Sequence, residues 1–375
     1  MISIIKTTFT KSFIGAALLF SLHSSPAQAC TGIKLTAADK GVVYGRSMEW
    51  GSFDLLSRVT ITPRGKVFIG TTPDGKTGHQ WRAKYGVVGL DMLKKETLAD
   101  GMNEKGLTAG LFYHPGTASY SKFDPAKSAS TISAIDITNF ILTQFATVAE
   151  VREGMKTITV VPVIEPALNK PIEAHFMVTD KEGESIIIEF FDGKTKIFDN
   201  PLGVITNAPT YDWHTTNIRN YVNLSAVAIP SKKIDDLDFS PLGVGSGMIG
   251  LPGDFTPPSR FVRAVAFSQA ARPTPTTGET IYELFRILDN FNVGLEPAEV
   301  SGEDHVSADK MRSATLWTTA WDTKNLIFYY HTQHNRRIRK IDLKAIDFST
   351  MTDTVIHIPL DQKKEEDIQN ITPVK

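Results

Sequence analysis

The sequence is poor in cysteine, since Cys30 is the only one among 375 residues. An internal disulfide is therefore excluded, and a thiol without a partner is either inert or reactive. The chain also lacks an excess of charge of one sign, because 40 basic and 41 acidic residues give a net charge of −1. This balance gives no indication of nucleic-acid binding or of a basic membrane-binding patch.

Several familiar catalytic motifs are missing as well. Residues 245–250 match the glycine pattern of a dinucleotide-binding turn, but Pro252 follows and excludes the helix that would bind a pyrophosphate. Ser246 has Val244 and Met248 where a serine nucleophile elbow needs glycines. The Cys-Gly-Ser-Cys-Trp context of papain-like enzymes is also absent.

The first 29 residues have the three parts of a secretory signal peptide. Two lysines precede an uncharged apolar run at residues 12–22, and Ala27-Gln28-Ala29 is a small-x-small cleavage site. The apolar run is shorter than the roughly 20 residues that a membrane-spanning helix needs. We therefore expect an exported, periplasmic protein that is cleaved after Ala29, begins at Cys30 and has no membrane attachment after cleavage.

A cysteine at the N-terminus carries a nucleophile and a base in one residue. A thiol has a pKa of about 8.5 and an α-amino group one of about 7.7–8.0, so proton transfer between them costs only about 1 kcal/mol. The amine can take the thiol proton during attack and return it to the leaving amine. Two other interpretations of Cys30 stay open on this segment alone: a small buried residue, or the acylated cysteine of a lipoprotein.

Residues 30–375 are predicted to form a single domain of the α+β class. Length alone suggests about two domains, but the only Pro-rich stretch, at residues 272–278, is too short for an interdomain tether. Strands and helices come in blocks rather than in strict alternation. Strands are predicted at residues 31–36, 42–46, 173–179, 185–191, 195–198, 314–320 and 326–332, and helices at 133–156, 211–226, 259–271 and 279–289.

The first two strands are expected to form a hairpin around a turn at residues 38–41. Such a hairpin places Cys30 opposite positions 47–49. Side chains that oppose each other across paired strands lie about 4.5–5.5 Å apart. The local fold is therefore expected to bring Arg46 and Glu49 near the thiol.

Six short sequence blocks are spread over nearly the whole mature chain. They are Cys30-Thr-Gly32, Gly45-Arg-Ser-Met-Glu-Trp50, Gly101-Met-Asn-Glu-Lys-Gly-Leu107, Val204-Ile-Thr-Asn-Ala-Pro209, Leu251-Pro-Gly-Asp-Phe255 and Ser259-Arg-Phe261. In residues, order and spacing they resemble the choloylglycine hydrolase family, which contains bile salt hydrolases and penicillin V acylases and belongs to the N-terminal-nucleophile hydrolases. The resemblance implies a four-layer αββα sandwich, a homotetramer as is common among members, and no metal or organic cofactor.

Carried over to this chain, the resemblance makes Cys30 the nucleophile and its α-amine the base. Arg46 matches the arginine whose positive charge favours the thiolate. Glu49 falls where most members have an aspartate that holds the α-amino group, and its extra methylene changes the geometry but not the charge.

The remaining matched positions concern the oxyanion and the substrate. Asn207 matches the oxyanion-hole asparagine, and Tyr113 the second oxyanion position, where the backbone N–H is the donor. Arg260 matches a further active-site arginine. Without the resemblance, these residues would indicate a turn asparagine, a core aromatic and a helix-face cation. Trp50 is interpreted as either a wall of an apolar acyl or aryl pocket or a core residue.

The predicted activity is hydrolysis of a small-molecule linear amide between an apolar acyl group and a polar amine. Tyr113 resembles the tyrosine that penicillin V acylases carry at this position. The signal peptide and the Glu49-Trp50 pair resemble the Gram-negative exported branch, which is associated with penicillin V and N-acyl homoserine lactones. The main alternative is a conjugated bile salt hydrolase, whose members usually carry asparagine at the position of Tyr113. A catalytically silent exported binding protein of the same fold is a third hypothesis, which the glutamate at position 49 favours.

Overall fold

The computed structural model describes residues 30–51, 55–294, 314–351, 354–361 and 368–372. The predicted signal peptide at residues 1–29 lies outside these ranges. Within them, no helix is long and apolar enough to cross a bilayer.

Strands outnumber α-helices along the described chain. In chain order the strands are β1 (Cys30–Thr36), β2 (Val42–Trp50), β3 (Arg58–Thr62), β4 (Val67–Thr71), β5 (Thr77–Arg82), β6 (Val87–Met92), β7 (Thr97–Asn103), β8 (Thr108–Tyr113), β9 (Thr131–Ser133), β10 (Thr159–Val161), β11 (Ile164–Glu165), β12 (Lys170–Pro171), β13 (Ala174–Thr179), β14 (Ser185–Phe191), β15 (Lys194–Asp199), β16 (Val204–Ile205), β17 (Lys232–Ile234), β18 (Leu237–Phe239), β19 (Ala314–Asp322), β20 (Ile327–Thr332), β21 (Arg339–Asp342) and β22 (Ile356–Pro359). The α-helices are α1 (Ile137–Gln144), α2 (Val148–Gly154), α3 (Tyr211–Asn217), α4 (Pro257–Ala270) and α5 (Thr277–Leu288).

Two large antiparallel sheets form the centre of the molecule. One has the strand order β16-β1-β2-β19-β20-β21, and the other has the order β15-β14-β13-β8-β7-β6-β3-β22. Helices α4 and α5 pack on the first sheet, and α1 packs on the second. Polar contacts also join the sheets: Tyr44 of β2 and Thr319 of β19 donate to Asp100 of β7 at 3.1 and 2.7 Å. This arrangement is the predicted α+β sandwich with four αββα layers.

The N-terminal hairpin has the predicted register. Lys40 adopts a φ of 63°, and Gly41 closes the turn by donating to the side chain of Asp39 at 2.9 Å. The ladder between β1 and β2 then pairs Cys30 with Met48, inside the expected range of positions 47–49. The turn chemistry therefore determines which residues of β2 lie beside the thiol.

Two predicted helices are wrong in length. The helix expected over residues 133–156 is interrupted at Phe145, whose backbone is extended, and α2 begins only where the Thr147 side chain accepts from the Glu150 N–H at 3.2 Å. The helix expected over 211–226 ends as an α-helix at Asn217 and continues as a single 3₁₀ turn to Tyr221. By contrast, α4 and α5 agree with the predicted helices within two residues at each end.

Candidate active site

Cys30 is the first residue of β1, which lies between the edge strand β16 and β2. Its side chain is 2% exposed and forms no disulfide. The ladder between β1 and β16 pairs Gly32 with Ile205, so the same register puts Asn207 opposite Cys30. The backbone nitrogen of Cys30 donates to Oδ1 of Asn207 at 2.9 Å. Two sequence-distant residues therefore meet just beyond the end of the ladder between β1 and β16.

Arg46 reaches from β2 into the opposite sheet and is completely buried. The ladder between β7 and β8 ends at the pair formed by Asp100 and Gly110. The next carbonyl on each strand accepts instead from Nη1 of Arg46: Ala99 at 3.3 Å, and Leu111. The guanidinium thus takes the place of missing ladder donors and is fixed in position behind the thiol.

The thiol of Cys30 is subject to opposing electrostatic effects. Burial raises its pKa, the charge of Arg46 lowers it, the charge of Glu49 raises it, and the net direction is upward. Met48 links two of these groups, because its sulfur lies 3.8 Å from the Cys30 sulfur and 3.7 Å from Nη2 of Arg46. A thiol with a raised pKa is protonated at neutral pH and therefore needs a base when it attacks.

Arg260, in the first turn of α4, connects the strands around the thiol. Its Nη1 donates to the carbonyl of Cys30 at 2.5 Å and to the hydroxyl of Thr31 at 3.0 Å. Its Nη2 donates to Oδ1 of Asn207 at 2.6 Å. Burial lowers the pKa of Arg260 to about 10, which still leaves the guanidinium charged at neutral pH.

The amide nitrogen of Asn207 faces Tyr113, the last residue of β8. Nδ2 donates to the Tyr113 carbonyl at 2.7 Å. The next N–H, that of His114, donates to Glu173 at 2.8 Å, and backbone groups alternate sides along a strand. The N–H of Tyr113 therefore points to the side of β8 on which Asn207 lies.

Glu49 lies in β2 and is 1% exposed. Its Oε1 accepts from the hydroxyl of Thr315 at 2.9 Å, whereas Oε2 has no hydrogen-bond partner among the described residues. Burial raises the pKa of Glu49 to about 7, with the charge of Arg260 acting in the opposite direction. In the structure Asn207, rather than Glu49, accepts from the Cys30 nitrogen, so the contact between Glu49 and an α-amino group stays a prediction.

A narrow apolar cavity opens at the thiol. Trp50 and Tyr113 form part of its wall, with their ring centroids 5.8 Å apart in an edge-to-face arrangement. Trp50 is 8% exposed and also lines the cavity, so it packs in the core, and its contact with an acyl or aryl group stays a prediction. The lining residues are Cys30, Met48, Trp50, Leu55, Met92, Leu93, Leu111, Tyr113, Leu168 and Ile172.

One buried group in the described part of the chain has metal-ligand chemistry. The donor atoms of His114, His175 and Glu189 lie within 4.8 Å of one another. The two histidines contact the backbone at Thr206 and Pro209 rather than Cys30. No role is predicted for these residues from the sequence, and no local spacing signal marks them, because they meet only in the folded chain.

The structure thus brings all six predicted catalytic residues into one buried region around Cys30, and two of them, Cys30 and Tyr113, line the cavity. Sequence reasoning missed several of their partners. Met48 lies inside the sequence block at residues 45–50, but nothing in that block indicates a contact with the thiol. Thr315, which fixes one oxygen of Glu49, lies 266 positions away and carries no motif.

Known proteins are similar to this chain over most of its length. The family model for linear amide C–N hydrolases of the choloylglycine hydrolase family matches residues 30–357. A bile salt hydrolase/transferase from Clostridium perfringens is 33% identical over 84% of this chain and 92% of that protein. A penicillin V acylase from Pectobacterium atrosepticum is 28% identical over 82% of this chain and 78% of that protein.

Solved structures have a similar fold. A conjugated bile acid hydrolase from Clostridium perfringens has a TM-score of 0.78 at 29% identity, covering 92% of this chain and all of that one. A penicillin V acylase from Agrobacterium tumefaciens has a TM-score of 0.69 at 24% identity, covering 90% and 95%. The chain belongs to the choloylglycine hydrolase family and is an amidohydrolase that acts on linear amides.

Proposed function

We propose that this enzyme cleaves an amide between an apolar acyl group and a polar amine, with Cys30 as the nucleophile. The observation that carries the proposal is the apolar cavity with the buried thiol of Cys30 in its wall. Asn207 accepts a hydrogen bond from the backbone nitrogen of the same cysteine. An acyl group in this cavity would bring its carbonyl to the sulfur, while the amine half stays outside the apolar lining.

The reaction starts from a chain processed after Ala29. The α-amine of Cys30 takes the thiol proton, the sulfur bonds to the amide carbon, and the carbonyl oxygen becomes an oxyanion. Nδ2 of Asn207 and the N–H of Tyr113 donate to this oxyanion. The α-ammonium then protonates the leaving nitrogen as the C–N bond breaks, and water hydrolyses the thioester.

Three ionisable side chains support the pair of thiol and amine. Arg46 and Arg260 lower the pKa of Cys30 and so offset part of the effect of burial. Glu49 has a free buried oxygen, Oε2, as an acceptor for the new α-ammonium. Because glutamate carries the same charge as aspartate, we expect it to serve this role despite its extra methylene.

The preferred substrates in this proposal are penicillin V and N-acyl homoserine lactones. Two aromatic rings, those of Trp50 and Tyr113, form an apolar wall of the cavity, and a phenoxyacetyl group or an alkyl chain would pack against such a wall. A conjugated bile salt is the second candidate, because the relative that is 33% identical carries the name of a bile salt hydrolase/transferase.

We also propose export to the periplasm as a single domain from residue 30, as in the Gram-negative branch. The burial of Cys30, at 2% exposure, favours a free thiol over a lipid-modified one.

A homotetramer is supported by apolar side chains that stand exposed on the segment around β17 and β18. These include Val222, Val227, Leu237, Leu242 and Val244, exposed by 79, 74, 64, 107 and 87%.

The test combines the intact mass of the purified chain with a panel of amides. The mass is expected to equal that of a chain that starts at unmodified Cys30. The processed enzyme is then assayed for amine release from penicillin V, N-octanoyl homoserine lactone and glycocholate, beside its Cys30→Ser variant. Fastest release from glycocholate would support the bile salt alternative. Full activity of the variant would overturn the thiol mechanism, and binding without any hydrolysis would indicate a silent binding protein.

A further inference from the structure

Three buried histidines contact the short backbone segment that carries Asn207. They come from three separate places: the residue after β8, strand β13 and helix α3. Each is at most 2% exposed. In each contact Nε2 meets a carbonyl oxygen: His175 meets Thr206 at 3.1 Å, His214 meets Asn207 at 2.9 Å, and His114 meets Pro209 at 3.2 Å. We call these three residues the histidine cluster.

The acceptors determine the tautomer of each ring. A carbonyl oxygen only accepts, so each Nε2 must carry the proton. Burial lowers the pKa of His114 and His175 to about 3 and that of His214 to about 4. The rings are therefore neutral at neutral pH, with a proton on Nε2 and a lone pair on Nδ1.

Glu189 completes one of these contacts. Its Oε1 lies 3.2 Å from Nδ1 of His175 and accepts from the N–H of Tyr211 at 2.9 Å. Nδ1 of this tautomer needs a donor, and burial raises the pKa of Glu189 to about 7. In its protonated form Glu189 supplies that donor and holds the His175 ring with its Nε2 toward Thr206.

The same atoms are close enough for a metal site, but their directions favour hydrogen bonding. The rings of His114 and His175 are stacked, with centroids 4.0 Å apart and planes within 5°. Lone pairs in two parallel planes do not converge on one point. Both Nε2 atoms are also occupied by carbonyl groups.

We propose that the histidine cluster is a set of positioning residues, which hold the backbone of Asn207 so that its side-chain amide stays fixed relative to Cys30. This inference rests on the proposed role of Asn207 in holding the oxyanion. The ladder with β1 ends at Ile205, so the segment that follows lacks strand pairing just where a donor must be placed. An oxyanion donor is most effective when it needs no reorganisation during the reaction.

The test uses His214, because its ring stacks on Phe261 with centroids 4.7 Å apart. His214→Phe keeps the ring and removes the donor, whereas His214→Gln keeps a donor. For the amide that the wild-type enzyme hydrolyses fastest in the panel above, we expect His214→Phe to lower kcat about 10- to 100-fold with KM nearly unchanged. His214→Gln should recover most of that loss. In an Asn207→Ala background, His214→Phe should cause little further loss, because the two changes act on one donor.

The matched control is His331→Phe. His331 is a buried histidine of β20 that contacts Phe285 of α5. Its kcat should equal that of the wild type. If His214→Phe does not fold, the comparison is made with His114→Leu and His114→Gln, which alter the contact with Pro209. Wild-type kcat in the donor-free variant, or an additive loss with Asn207→Ala, would overturn the inference. Full activity of Asn207→Ala would instead overturn the proposed function.

Discussion

Nη2 of Arg260 lies 2.6 Å from Oδ1 of Asn207, while Nη1 of the same guanidinium lies 2.5 Å from the carbonyl of Cys30. A guanidinium only donates, so the oxygen of the Asn207 amide must face it. The amide nitrogen then has to face Tyr113, where it is found at 2.7 Å from the carbonyl oxygen. Arg260 therefore determines which end of the Asn207 amide is presented to the substrate side.

This relationship predicts that Arg260→Lys is not a conservative change. An ammonium keeps the charge but cannot reproduce the planar fork that reaches Cys30 and Asn207 together. We expect kcat to fall about 10²–10³-fold, as for loss of an oxyanion donor. Steady-state kinetics of amine release is the measurement. Arg263→Lys is the control, because Arg263 bonds the carbonyls of Pro252 and Asp254 in the same helix region. Wild-type kcat in Arg260→Lys would contradict the prediction.

A second prediction concerns the residue that precedes Cys30. A chain that retains Ala29 has a peptide nitrogen where the processed chain has an amine, so it has no base for a thiol whose pKa burial raises. We expect its activity to be at least about 10³-fold lower, while a thiol reagent still labels Cys30 after unfolding. Removal of Ala29 by an aminopeptidase should restore activity. An unprocessed chain that hydrolyses amides at the wild-type rate would be incompatible with the α-amine as base.

Asp100 provides a prediction on stability. Its carboxylate, with no exposed area, accepts from Tyr44, Thr319 and Trp321. Burial raises the pKa of Asp100 to about 6 from 3.8, with the charge of Arg46 acting in the opposite direction. The folded chain therefore keeps a proton that the unfolded chain loses. The stability that this group contributes is fully present below pH 4 and is lost as the pH rises through 6. The loss in the free energy of unfolding is up to about 3 kcal/mol.

Asp100→Asn removes this titration. Urea unfolding between pH 4 and pH 7 should show that the free energy of unfolding of the variant, minus that of the wild type, increases with pH by up to about 3 kcal/mol. The variant loses hydrogen bonds at every pH, so only the slope of this difference is diagnostic. A difference that stays constant with pH would show that Asp100 ionises normally in the fold.

The N-terminal hairpin could be predicted from the sequence because its information is local. The residues at positions 38–41 specify the turn, and the turn length then fixes the register that pairs Cys30 with Met48. The six strands from β3 to β8 were not predicted. Strands β6, β7 and β8 are buried on both faces along almost their whole length, so they lack the alternation that marks a half-buried strand.

In the candidate site, too, some residues could be predicted from the sequence and others could not. Cys30, Arg46 and Asn207 stand in sequence blocks that resemble the family, so their positions could be read directly. The partners that orient them could not, since Thr315 and the histidine cluster meet the site only through strand pairing and helix packing. Such contacts depend on long-range register, for which the sequence contains no local signal.

The last prediction concerns the choice of acyl group. Trp50 contacts Tyr113 edge to face, and both rings line the cavity at the thiol. Trp50→Ala removes a pair worth about 0.5–1.5 kcal/mol beyond its buried area and leaves space beside the acyl chain. For the phenoxyacetyl group of penicillin V, kcat/KM should fall about tenfold or more, which corresponds to about 1.4 kcal/mol.

For longer N-acyl homoserine lactones kcat/KM should fall less, because their chains extend into the new space. The measurement is the ratio of kcat/KM for penicillin V to that for N-dodecanoyl homoserine lactone, before and after the change. Trp50→Phe should give an intermediate ratio. Tyr282→Ala, which alters an aromatic residue that is 58% exposed on α5, is the control and should leave the ratio unchanged. An equal loss for both substrates in Trp50→Ala would mean that Trp50 supports the fold without selecting the acyl group.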